Sequence, residues 1–144
     1  MKNKKVIGAV EVCDLPQLTI TELNVRVDTG AATSSLHVDN IEEFTRDETL
    51  WIRFDIHPDI YNVDTVVRRE AEVFGKKKVK SSTATREKRY VILTDIIMDG
   101  FQWRIQLTLT DRSEMTYSML LGREGMSGHF IVDPEYDYLL TGKD

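Results

Sequence analysis

The sequence predicts an all-β protein with one short helix, and three observations carry that reading. Apolar and polar residues alternate over several stretches, an apolar run and one of those stretches flank an Asp-Gly pair, and helical periodicity is scarce. At 144 residues the chain is long enough for one core and short for two, so residues 1–144 read as a single domain.

The elements follow in order. The apolar run Val6–Val10 opens an N-terminal strand region that carries Cys13, the single cysteine, as a core residue. Leu23, Val25 and Val27 alternate with Glu22, Asn24 and Arg26, giving a strand that ends on Asp28. A run of small residues, RVDTGAATSSLHV over 26–38, then turns the chain into the next strand, which carries His37. Leu50, Ile52, Phe54 and Ile56 alternate with Trp51, Arg53 and Asp55 in a further strand. Residues 57–68 and 75–89 read as irregular, the first because of a His-Pro break and the second because it is polar, basic and rich in Ser and Thr. Asp99-Gly100 joins the apolar run 90–98 to the alternating Phe101, Trp103, Ile105, Leu107 and Leu109, a two-residue hairpin signal. One short helix fits near 122–127, although Gly125 argues against it.

Composition excludes several function classes. A net charge of -5 gives no global attraction to nucleic acid or to an anionic membrane. No stretch approaches the roughly 20 apolar residues of a membrane helix, and Glu11 interrupts the N-terminal apolar run before it reaches the length of a signal-peptide core. The expectation is a soluble, cytoplasmic protein. A lone cysteine rules out an intrachain disulfide. The histidines His37, His57 and His129 are scattered, with no pair at zinc spacing; the stretch Asp55-Ile56-His57-Pro58-Asp59 offers donors, but of a mixture common in loops. Neither a Gly-rich phosphate loop nor a His-Glu-x-x-His motif occurs, so no cofactor and no metal is expected.

Asp28-Thr29-Gly30 supports two readings. Asp and Gly populate turns for local reasons, so a triplet by itself is a turn signal. The same triplet could also present a catalytic carboxylate. Carboxylate-driven peptide hydrolysis uses two carboxyls, one drawing a proton from water and one giving a proton to the carbonyl oxygen. Asp28 alone cannot do this; a second Asp28 from a two-fold related chain can. Thr29 could then hydrogen-bond across the two-fold, Gly30 could donate its N–H to the carboxylate, and Ala31 would leave room for substrate.

The residues carry a family resemblance. An alternating strand leading into Asp28-Thr29-Gly30-Ala31, with Leu120-Leu121-Gly122-Arg123 much later, resembles the retropepsin-type aspartic proteases. VDTGAATSSLHV, VKSS at 79–82, LTLTDRSEM at 107–115, MLLGREGM at 119–126 and FIVDP at 130–134 resemble a bacterial retropepsin-like branch labelled ATP-dependent zinc proteases. The resemblance implies a closed retropepsin-like barrel in which the Asp28 loop packs on the Leu120-Leu121-Gly122 segment. It implies an aspartic endopeptidase acting as a homodimer, with Asp28, Thr29 and Gly30 catalytic and Ala31, Lys80, Ser81 and Ser82 against a peptide or protein substrate. The branch has a glycine near Ala84, where this chain reads STATREKR; a retropepsin flap often depends on such a glycine, so the lid here would be stiffer or its turn displaced.

Nine of the nineteen basic residues fall between Arg68 and Arg89. They read either as solvated edge lysines or as a lure for an acidic peptide. Members of the branch often accompany ATP-grasp ligases that add glutamates to proteins, which makes a glutamate-modified peptide the candidate substrate. His37 fits either the cleft or the surface, Ser81 and Ser82 either substrate or a turn cap, and Arg123 a tie between the helix and its neighbours. The rival function is a non-catalytic peptide- or protein-binding module on the same fold, serving a protein-modification system.

Overall fold

The computed structural model describes residues 3–59, 65–80, 86–111 and 116–142, the side chains of residues 79, 80, 86 and 87 excepted. The strands are β1 (Lys5–Ile7), β2 (Val10–Leu15), β3 (Ile20–Val27), β4 (Ser34–Arg46), β5 (Thr49–Ile56), β6 (Val67–Glu72), β7 (Gly75–Lys80), β8 (Arg86–Met98), β9 (Phe101–Thr110), β10 (Met119–Leu121) and β11 (Phe130–Val132). Among the described residues one α-helix, α1 (Arg123–Met126), precedes β11, and a short 3-10 turn (Pro16–Leu18) joins β2 to β3.

Six strands close into a barrel. β3 pairs with β2, β2 with β8, β8 with β9, and β9 with β4; β10 then bridges β4 back to β3. That closing strand is only three residues long, and Met119 pairs with Val25 on one side and Leu36 on the other. The far half of β4 leaves the barrel to pair with β5, and β5 with β6. β1 and β11 form a separate parallel pair.

The alternation predicts the buried faces well. Leu23, Val25 and Val27 of β3, Ile52, Phe54 and Ile56 of β5, and Trp103, Ile105, Leu107 and Leu109 of β9 all lie in one core cluster. Each such side chain, fully withdrawn from water, contributes roughly 1.5–3 kcal/mol. The Asp99-Gly100 turn is a two-residue hairpin with Met98 opposite Phe101. Both turn residues have positive φ, 49° and 79°, which Asp tolerates and Gly adopts freely. Cys13 lies in β2 and is buried, and that burial, followed by the charge of Asp14, pushes its thiol well above the ordinary range.

α1 is too short to persist by backbone propensity. It is held from outside: Met126 is buried, and the Trp103 indole N–H donates to the Gly125 carbonyl at 2.9 Å. A Cβ on Gly125 would lie 2.8 Å from Leu121 Cδ1, so the glycine that weakens the helical signal is what lets the helix sit this close to β10.

One expectation is corrected. Residues 75–89 are not irregular where described: β7 pairs antiparallel with the start of β8, from Gly75 opposite Val91 to Lys80 opposite Arg86. The strands give no alternation signal because basic residues face each other across the hairpin, Lys77 opposite Arg89 and Lys78 opposite Lys88. Its tip, including Ser81, Ser82 and Ala84, lies outside the described residues. The irregular reading of 57–68 holds at 57–59 and 65–66, and β6 begins at Val67.

Candidate active site

β3 delivers Asp28 to the end of the barrel where β10 closes the ring. The Asp28 N–H donates to the Leu121 carbonyl at 2.9 Å, extending the β3–β10 ladder by one bond. The chain then turns, and the Gly30 N–H donates to Asp28 Oδ1 at 2.9 Å, a local Asx-type closure. The carboxylate is half-buried, while Thr29 and Gly30 are exposed and Ala31 is half-buried.

The loop is fastened to the segment after β10 by backbone bonds. Arg123 N–H donates to the Ala31 carbonyl at 2.9 Å and Glu124 N–H to the Ala32 carbonyl at 3.0 Å. Thus the first N–H groups of α1, which have no partner within a helix, are satisfied by the Asp28 loop. The Arg123 side chain adds a bond to the Thr29 carbonyl at 2.9 Å, the tie its position in the sequence suggests.

Two residues complete this arrangement. Gly122 is buried with its N–H donating to Ser34 Oγ at 3.0 Å, and a Cβ there would lie 2.4 Å from the Thr33 carbonyl oxygen. Ser34 is the residue that sequence reasoning passed over. Its place in the small-residue run Thr33-Ser34-Ser35 is the only signal, and that run has no period to read.

The pattern of an Asp-Thr-Gly loop laid over a Leu-Leu-Gly strand end, in a six-stranded barrel closed by β10, is now decided by comparison. A family model described as "Retropepsin-like aspartic endopeptidase RimB" matches residues 6–143. The chain belongs to this RimB-like family. Curated relatives named "Probable alpha-L-glutamate ligase" are similar along nearly the whole chain. One from Parasynechococcus marenigrum is 45% identical over 140 residues, covering 97% of this chain and 30% of its own length. One from Shewanella pealeana is 43% identical over 141 residues, covering 98% and 31%. The chain therefore spans about three-tenths of the length of the curated relatives it matches. Among solved structures, Lpg0085 of Legionella pneumophila, a protein described as of unknown function, superposes with a TM-score of 0.79 at 29% identity, covering 96% of this chain and 99% of that one.

The remaining sequence candidates are distributed unevenly around this RimB-like site. The β7–β8 hairpin reaches α1, with Lys77 Nζ 3.9 Å from Glu124 Oε1. Lys80 lies at the end of β7, its side chain outside the described set, and Ser81 and Ser82 lie beyond the described residues. The three histidines are not all scattered in space. His37 and His57 stack at 5.4 Å between ring centroids, and His57 Nε2 lies 2.9 Å from Asp39 Oδ2. Of the 55–59 stretch only His57 joins that cluster; Asp55 instead accepts from Asn40 and Arg68, and these bonds hold its carboxyl below the usual carboxylate range. His129 packs with Phe101, Trp103 and Phe130. Among the described residues no helix is long and apolar enough to cross a membrane.

Proposed function

We propose that this chain is an aspartic endopeptidase of acidic or glutamate-modified peptides, assembled as a homodimer in which two Asp28 carboxylates activate water between them. The observation that carries this reading is the Asp28 loop itself: a half-buried carboxylate, held by the Gly30 N–H, on a loop locked to β10 and α1 by backbone bonds. A rigid loop fixes the carboxylate direction, which a symmetric dyad needs if two oxygens are to meet across a two-fold axis.

The mechanism follows from the dyad. Two carboxyls within about 3 Å cannot both ionise, so they share one proton. The ionised member draws a proton from the attacking water as the water oxygen bonds to the peptide carbon. The protonated member gives its proton to the carbonyl oxygen; collapse of the tetrahedral species then breaks the C–N bond as the amine takes the proton drawn from water and a hydroxyl of the intermediate returns one to the second carboxylate. Thr29, beside the carboxylate, would brace the dyad across the axis.

Two observations favour an acidic substrate. The basic β7–β8 hairpin touches α1 beside the Asp28 loop, and curated relatives sharing this region are named glutamate ligases. A second reading rests on the same relatives: within a ligase about three times longer, a module of this fold could bind a glutamate-bearing protein without cutting it.

Asp28→Asn separates the two. The amide keeps the volume and cannot cycle the proton, so cleavage of a glutamate-tailed peptide should fall by roughly a thousandfold or more while peptide binding persists. The wild-type rate should trace a bell against pH, and sedimentation should show a dimer. Full cleavage by Asp28→Asn would remove the dyad mechanism. Tight peptide binding by a wild-type monomer that never cleaves would establish the binding module.

A further inference from the structure

His37 and Asp39 occupy alternate positions of β4, so both side chains leave the same face of the strand. β5 runs antiparallel beside them with Val38 opposite Ile56 and Asp39 opposite Asp55, and His57, the first residue past β5, comes up against His37. Asp39 Oδ2 contacts His57 Nε2, but Asp39 Oδ1 is buried with no hydrogen-bond partner. A buried carboxylate oxygen left unsatisfied costs about 1–3 kcal/mol or more, so an ordinary Asp–His pair does not account for the site.

The backbone holds the histidines in place. His37 N–H donates to the Ser118 carbonyl at 2.8 Å, and Ser118 Oγ donates to the His57 carbonyl at 2.5 Å. One residue thus ties the backbones of both histidines to the segment entering β10. Neighbouring Asp55 is engaged by Asn40 and Arg68 and does not compete for the cluster.

We propose that His37, Asp39 and His57 form a binding site for one first-row divalent transition cation, held through two imidazole nitrogens and a carboxylate oxygen. One ligand atom from each residue lies within 4.8 Å of the others. A tetrahedral zinc with bonds of about 2.0–2.1 Å sets its ligands roughly 3.3 Å apart, so the His57–Asp39 contact at 2.9 Å would open slightly while His37 closes on the pair. Two imidazoles and one carboxylate suit zinc and its neighbours rather than calcium or magnesium, which take oxygen ligands. Three protein ligands leave a further position open to water. The ion would clamp β4 to the chain leaving β5, in the strand that leads out of the Asp28 loop.

The test uses untagged, chelator-treated protein titrated with zinc chloride in a calorimeter, and with cobalt chloride in a visible spectrometer. Saturable binding of one ion per chain is expected, with a ligand-field spectrum typical of low coordination for cobalt. His37→Gln and His57→Gln should each weaken zinc beyond the roughly 10–100-fold that loss of a group outside the ligand set costs. The wild type supplies a readout that no folding defect can confuse: nitrogen NMR of the imidazoles should show His37 and His57 moving on zinc addition, with His129 unmoved as the internal control. Absence of saturable binding, undiminished zinc affinity in a folded His37→Gln/His57→Gln double variant, or imidazole shifts confined to His129 would overturn the site.

Discussion

The Asp28 loop and the β7–β8 hairpin both contact α1, the hairpin through Lys77 and Glu124, yet they are held in opposite ways. The loop is fixed by backbone bonds to β10 and α1 and by an approach at Gly122 that leaves no room for a methyl group. Beyond its own ladder, the hairpin is fastened to β4 by side chains: Lys76 Nζ lies 3.6 Å from Glu43, and the hydroxyl of the half-buried Tyr90 bonds the same carboxylate. Close backbone packing is insensitive to salt and intolerant of added atoms. Exposed ion pairs are the reverse, since solvent screens them and their partners can be exchanged.

The largest effect should come from the packed region. In Gly122→Ala the new Cβ would lie 2.4 Å from the Thr33 oxygen, 2.6 Å from its carbon and 3.0 Å from the Ala31 oxygen. All are backbone atoms, so relief requires moving the loop, and urea unfolding should show a loss of about 3 kcal/mol or more together with lost activity. Gly125→Ala is the sharper companion. Its close contacts, Leu121 Cδ1 and Ser34 Oγ, are side-chain atoms and not backbone, so its cost should be smaller. Equal costs would mean that the loop yields as readily as a side chain.

How much of this was legible in the sequence divides along the same line. Strands with one buried face and one wet face announce themselves, as β3, β5 and β9 do through Val25, Phe54 and Leu107. The Asp28 loop was legible through a motif, and Gly122 through its place after Leu120-Leu121. Ser34 and the His37–Asp39–His57 cluster were not, because each depends on strand register: β4 must pair with β5 before His37 and His57, distant in sequence, become neighbours. The β7–β8 hairpin was hidden for a different reason, its basic residues giving no apolar face to read.

The second effect tests the hairpin as a charged lid. Neutralising Lys76, Lys77, Lys78 and Lys80 together should raise KM for an acidic peptide by roughly tenfold and leave a neutral peptide nearly unchanged. Added salt should erode the wild-type preference in the same direction, so that the variant is nearly indifferent to it. Equal changes on both peptides, or a preference that survives salt, would reduce the lysines to edge solvation.

The smallest effect concerns how the hairpin is anchored at its foot. The Tyr90 hydroxyl of β8 donates to Glu43 of β4, with Lys76 Nζ 5.2 Å from the centre of the Tyr90 ring. That hydrogen bond, followed by burial and the Glu43 charge, pushes the phenol up to about 12. Glu43 moves the other way, held below the usual carboxylate range first by the Tyr90 bond and then by Lys76. The phenol is raised, so its contribution to stability is fully present below its ordinary value of 10 and is lost as pH climbs through about 12. The carboxylate is lowered, so its contribution is present above its ordinary value of 4.5 and is lost as pH falls through its depressed range. An alkaline absorbance titration should therefore show a late phenolate phase, and Tyr90→Phe should remove it. Glu43→Gln should bring the phase back toward the ordinary range, because it removes the charge that opposes the phenolate. A late phase that survives Tyr90→Phe would remove the Tyr90–Glu43 bond as the anchor, leaving the contact of Lys76 with Glu43 to tie the foot of the hairpin to β4.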